Sequence, residues 1–142
     1  EYGELKRRFG WEFNGMRLHE FYFNGMTKEH KEIDQNSKLY IKITEQFEDY
    51  DNWRFDFINT AKMRGIGWSA LYYDQHANKL FNTWINEHNT GHLADCGLIL
   101  IMDVFEHAFM IDYQKNKAAY IEAYMNSINW KEVEQRFESI AT

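Results

Sequence analysis

The hydrophobic period of this chain changes twice, and those two changes decide what it can fold into. Up to Arg64 the apolar residues recur at helical spacing: Leu5, Phe9, Phe13 and Met16, then Leu39, Ile43 and Phe47, then Trp53, Phe57 and Ala61. Beyond Gly67 the period drops to two, with Trp68, Ala70 and Tyr72 alternating with Ser69, Leu71 and Tyr73. After Asp103 helical spacing returns and places Tyr120, Tyr124, Ile128, Val133 and Phe137 on inner faces. Helices, then short strands, then helices is the pattern of an α+β fold with a three-stranded antiparallel sheet flanked by helices.

The expected elements are a long helix from Glu4 to about Met26, a polar connection over 27–37, and helices over 38–48 and 51–64. Ser37 is placed to cap the first of these two, Asp51 the second, and Gly65 to end it. Strands follow near 68–73, 79–85 and 98–102, read as a meander, and then helices over 115–128 and 131–139. The polar 27–37 stretch suggests an N-terminal helical unit over 1–36 and an α+β unit over 37–142.

Composition narrows the function classes. Sixteen Lys and Arg against 22 Asp and Glu give a net charge of −6, which offers no nucleic-acid footprint and no polybasic membrane anchor. The longest apolar run, Gly97 to Met102, has strand length, well short of the roughly 18 residues of a spanning helix. A single cysteine, Cys96, closes no disulfide within the chain and suits a reducing, cytoplasmic setting. The charged start at Glu1 has no signal-peptide core and no initiator methionine, so the sequence is expected to begin inside a longer protein.

The residues most suited to chemistry are Asp103 and His107, four apart where a buried strand gives way to a helix. Imidazole nitrogen and carboxylate oxygen are donors for a first-row metal ion. The plainer reading makes Asp103 a helix cap and His107 a hydrogen-bonded core histidine. His19 sits among Leu18, Phe21, Tyr22 and Phe23, and Gly15, one turn earlier on the same face, removes the side chain that would cover it. Close helix packing explains Gly15 as readily as a pocket does. His88 and His92 lie in a polar loop where position alone promotes neither, and His30 and His76 read as surface residues.

In order along the chain, Phe13-Asn14-Gly15 through His19 to Phe23, Met63 to Trp68, Asp103 to Tyr113, Tyr120-Ile121-Glu122 and Ile128-Asn129-Trp130 resemble the iron/manganese superoxide dismutases. The resemblance covers nearly the whole chain. It implies the second helix of the family's N-terminal hairpin followed by the C-terminal domain, with one iron or manganese ion per chain. It also implies an antioxidant oxidoreductase that disproportionates superoxide to dioxygen and hydrogen peroxide, built as a homodimer or higher homo-oligomer.

Residue by residue, the resemblance implies that His19, Asp103 and His107 are three of the four protein ligands. It places His88 where the family has an outer Gln or His that tunes the metal through its bound solvent, and Gly15 where the iron-type branch carries that Gln. Trp68 and Phe105 then wall the site, Phe105 standing where the family usually has Trp. Glu106 matches a glutamate that reaches a ligand histidine across the dimer, and Met110 replaces a tyrosine that often hydrogen-bonds across the dimer. Lys117 takes the place of an anion-guiding arginine, keeping its charge but losing the bidentate fork. The family's first ligand histidine and its gateway tyrosine belong before residue 1. Two other readings stand beside this one: a non-catalytic structural or interaction protein on the same fold, and an iron oxygenase with two histidines and one carboxylate.

Overall fold

The computed structural model describes residues 1–106 and 116–141. Their elements are α1 (Tyr2–Asn24), α2 (Lys38–Phe47), α3 (Tyr50–Ala61), β1 (Gly67–Asp74), β2 (Lys79–Asn86), β3 (Gly97–Asp103), α4 (Lys117–Met125) and α5 (Trp130–Ala141). Helices thus precede and follow a three-stranded antiparallel sheet, the α+β arrangement that the periods imply.

Local chemistry sets the boundaries. Ser37 caps α2, its hydroxyl accepting from the Tyr40 N–H at 3.1 Å. The cap of α3 is Asp49 rather than the expected Asp51: its carboxylate accepts from the Asn52 N–H at 2.7 Å. Glu48, with φ of 75°, ends α2 so abruptly that the cap of the next helix falls two residues early. Asp51 instead lies in the first turn, where its charge meets the positive end of the helix dipole. The helix also stops before Gly65. Ala61 is its last buried residue, and 62–66 are exposed, with no apolar face to hold a further turn against the core.

The strands do not form a meander. Their order is β2-β1-β3, with β1 in the centre and antiparallel to both neighbours. The physical reason is visible in burial. Trp68 to Tyr73 are buried on both faces of β1, as a central strand requires, whereas β2 mixes exposed, half-buried and buried positions as an edge strand does, and β3, the other edge, is buried because α1 and α5 pack on it. The 87–96 connection therefore carries the chain past β1 to its other side. One end of the sheet consequently gathers the start of β1 and the finishes of β2 and β3, with Gly67 opposite Asn86 and Trp68 opposite Asp103.

Helix α1 packs on β3, α3 on β1 and β2, and α5 on β3, while α2 fills the angle between α3 and α5. Trp53, Phe57 and Trp68 are fully buried at the centre, and Tyr120, Tyr124, Ile128, Val133 and Phe137 all face inward as their spacing predicts. Arg136 locks α1 to this core. Its guanidinium donates to the carbonyls of Ile99 at 3.1 Å and Phe21 at 2.9 Å and lies 3.5 Å above the Phe21 ring. His76 is exposed as expected, whereas His30 is half-buried. No helix among the described residues is long and apolar enough to cross a membrane.

Candidate metal centre

The end of the sheet where β1 begins is also where α1 crosses β3, and this crossing brings His19 to Asp103. His19 Nε2 lies 3.2 Å from Asp103 Oδ2, and His19 Nδ1 lies 2.6 Å from the Gly15 carbonyl oxygen. A carbonyl only accepts, so Nδ1 carries the hydrogen, and in the neutral imidazole Nε2 turns a lone pair toward the carboxylate. Two acceptors in that arrangement repel each other unless a positive charge, a proton or a metal ion, lies between them. Donor atoms each about 2.1 Å from one ion, at roughly a right angle, stand about 3 Å apart. The observed pair therefore fits adjacent positions on an ion, with the second histidine nitrogen oriented by a backbone carbonyl as metal-ligating histidines require.

Asp103 is held on its other sides. Its Oδ1 accepts from the Phe105 N–H at 2.9 Å, and its backbone carbonyl accepts from the Tyr120 hydroxyl at 2.5 Å. With the Tyr120 hydrogen committed to that carbonyl, Tyr22 donates to the Tyr120 oxygen across 2.7 Å. Burial, reinforced by the neighbouring Tyr22, holds the Tyr120 hydroxyl neutral far above its ordinary range. Helices α1 and α4 thus converge on the backbone of Asp103 through two hydroxyls.

His88 is buried at the same end of the sheet. The Trp68 indole N–H can only donate, and it does so to His88 Nδ1 at 3.1 Å, which leaves the hydrogen of neutral His88 on Nε2. The ring stacks on Phe105 at 4.7 Å between centroids and 11° between planes, meets the edge of Trp11 at 4.8 Å, and lies 6.0 Å from the His19 ring. Trp68 also stands edge-on to His19 at 4.9 Å. The room left at Gly15 is taken by His88: a Cβ there would sit 3.2 Å from His88 Cδ2 and 3.4 Å from Nε2. One glycine therefore serves two histidines, its carbonyl orienting His19 and its missing side chain admitting His88.

The remaining expected residues are placed differently. Glu106 is exposed. Lys117 donates to the Met63 carbonyl at 2.8 Å and lies 6.0 Å from the Trp84 ring centre, on the connection between α3 and β1 rather than on the His19–Asp103 pair. Burial lowers its pKa. His107 and Met110 lie outside the described residues. Among the described residues no three His, Cys, Asp or Glu side chains gather as a metal-holding group, and His19 and Asp103 stand together as a pair.

Sequence reasoning missed Trp11 altogether. It lies one turn before Gly15 on the same helical face, and its indole donates to Glu87 at 3.3 Å beside His88. That spacing was the available signal. His92 and Tyr22 carried none, because their roles depend on partners distant in the chain.

Fold and site together define an α+β protein with a histidine–carboxylate pair at the end of an antiparallel sheet, flanked by a buried histidine in an aromatic box. Residues 35–136 match the model of the C-terminal domain of iron/manganese superoxide dismutases. The superoxide dismutase [Fe] of Methanothermobacter thermautotrophicus is 33% identical over 94% of this chain and 66% of its own length. That of Saccharolobus solfataricus is 31% identical over 96% of this chain and 65% of its own length. The superoxide dismutase [Mn] 1 of Halobacterium salinarum is 31% identical over 90% of this chain and 63% of its own length. The chain belongs to the iron/manganese superoxide dismutase family, and it spans just under two thirds of the length of these relatives.

Proposed function

We propose that this chain serves an active superoxide dismutase, in which two superoxide radicals and two protons become one dioxygen and one hydrogen peroxide. The observation that carries the reading is the pair of donor atoms His19 Nε2 and Asp103 Oδ2, 3.2 Å apart, with the other histidine nitrogen fixed by a carbonyl. His19 and Asp103 would hold the ion together with His107, which takes this role from the family pattern. An iron or manganese ion, when bound, supplies the alternating one-electron oxidation and reduction.

The chain's own residues supply position and protons. His88 keeps a hydrogen on Nε2 because Trp68 occupies Nδ1, so it is a hydrogen-bond donor beside His19 for solvent or reduced dioxygen. Phe105, Trp68 and Trp11 enclose that donor in apolar surface, where one hydrogen bond counts for more than in water. A net charge of −6 repels superoxide at long range, so a local cation would be needed, and Lys117, whose ammonium is held at the Met63 carbonyl away from the His19–Asp103 pair, takes that role from the family pattern alone. The exposed Glu106 would pair with His107 of the partner subunit in a homodimer. A single cysteine is consistent with a reducing, cytoplasmic setting.

The test is superoxide decay catalysed by the full-length protein loaded separately with iron and manganese. Metal-dependent decay is expected, and His107→Ala should abolish it. An undiminished rate in that variant would overturn the assignment.

A further inference from the structure

We propose that His92 is a positioning residue, the strut that sets the height of His88 over Gly15. This goes beyond the dismutase reading but rests on it for the consequence of moving His88. The loop that carries His88 has no regular strand pairing to hold it. It leaves β2 at Asn86, turns through left-handed backbone at Glu87 (φ 51°) and Gly91 (φ 110°), and is closed at its base by two hydrogen bonds between Asn86 and Thr90. Gly91 is obligatory there, since a Cβ would fall 2.3 Å from the Trp84 carbonyl oxygen. The base, the Glu87 N–H donating to the Ile66 carbonyl at 2.8 Å and the Trp11 indole donating to the Glu87 carboxylate at 3.3 Å fix the loop as far as Glu87, and the constraint on the next carbonyl, that of His88, comes from elsewhere.

His92 supplies that constraint. Its Nε2 lies 2.8 Å from the backbone carbonyl of His88, which can only accept, so Nε2 donates. Its Nδ1, left as the acceptor in the neutral ring, then receives the Tyr72 hydroxyl hydrogen across 2.6 Å. Tyr72 is buried on the central strand β1, and burial pushes its pKa up to about 12, so it stays a donor throughout the neutral range. A directional chain therefore runs from the sheet through both nitrogens of His92 to the backbone of His88. The tolerance at its far end is small, because the His88 ring already stands 3.2 Å from where a Cβ on residue 15 would be. A leucine of similar size fills the space but transmits neither hydrogen bond.

The experiment compares His92→Leu, His92→Gln and the core control Val133→Ala in the full-length protein. The reporter is the Trp68 indole N–H, which donates to His88 Nδ1 and is followed by its nuclear magnetic resonance shift and solvent exchange after chelation of metal. His92→Leu should accelerate that exchange about tenfold or more and shift the indole signal. His92→Gln, whose amide offers one donor and one acceptor, should restore most of the wild-type behaviour. Val133→Ala, which loosens the core elsewhere, should leave the indole signal in place. An unmoved indole in His92→Leu, or an equal change in Val133→Ala, would overturn the strut. The readout needs neither metal nor turnover. A responsive indole in a protein that takes up no metal would therefore sustain the strut and sink the dismutase reading, and an active enzyme with an unresponsive indole would do the reverse.

Discussion

Helix α1 has two apolar faces with opposite fates. The inner one carries Trp11, Gly15, Leu18 and Tyr22 and lies on the sheet and on His88, with Leu18 and Tyr22 buried. The outer one carries Leu5, Phe9, Met16 and Phe23, which are 69%, 67%, 51% and 65% exposed. Periodicity alone does not separate them, because both repeat at helical spacing. What separates them is composition: the inner face mixes large aromatics with a glycine and a histidine that fit one particular neighbour, and the outer face sets bulky apolar residues around the exposed Glu12 and Glu20. The outer face has the character of a surface to be covered, and its width exceeds what scattered exposed apolar residues require. The inner face is where the site is built.

The largest contrast should come from truncating one leucine on each face. Leu18→Ala is expected to cost about 2–5 kcal/mol of unfolding free energy, whereas Leu5→Ala should stay within about 0.5 kcal/mol. Urea denaturation of both variants measures the difference, and equal losses would mean that the outer face is packed too.

The two glycines of the same helix sharpen the comparison. Nothing lies within 4 Å of a Cβ built on Gly10, so Gly10→Ala should stabilise by about 0.5–1 kcal/mol through helix propensity. Gly15→Leu meets the His88 ring and should destabilise by about 1–3 kcal/mol, with a change in Trp68 fluorescence as the Trp68–His88 hydrogen bond is disturbed. Thermal melts of both variants settle the signs.

A smaller effect tests the packed side of the comparison by pH. Burial pushes Tyr50 and Tyr72 up to about 12, and Tyr120 and Tyr124 also shift upward, so the folded protein keeps all four neutral where the unfolded chain would ionise them. A group with a raised folded pKa contributes fully below its unfolded value, and that contribution fades as pH climbs toward the folded one. Stability should therefore hold up to about pH 10 and fall between there and about 12. Phenolate absorbance followed beside circular dichroism measures this, and ionisation of these four tyrosines with no loss of structure would contradict the assignment of the core.

How much of this was legible in the sequence follows from how local each feature is. Helices, strands and the Ser37 cap depend on neighbours a few residues away, and spacing reveals them. The α3 cap fell on Asp49 because the end of α2 at Glu48 decides between two nearby acids, and no pattern within α3 records that. The strand order was missed although the burial of both faces of β1 was implicit in its apolar run, since alternation says which residues are covered but not which strand lies beside which. His19 and Asp103 are 84 residues apart and meet only because α1 crosses β3, so resemblance to a family singled them out together where spacing could not. The Tyr72–His92–His88 chain was invisible for the same reason.

The central claim is that the His19–Asp103 pair is half of a metal site, and elemental analysis of the full-length protein from its native source tests it most directly. The account predicts close to one iron or manganese per chain, lost in His19→Ala while the fold persists by circular dichroism. A native protein free of both metals, or one whose metal content is unchanged by His19→Ala, would contradict it.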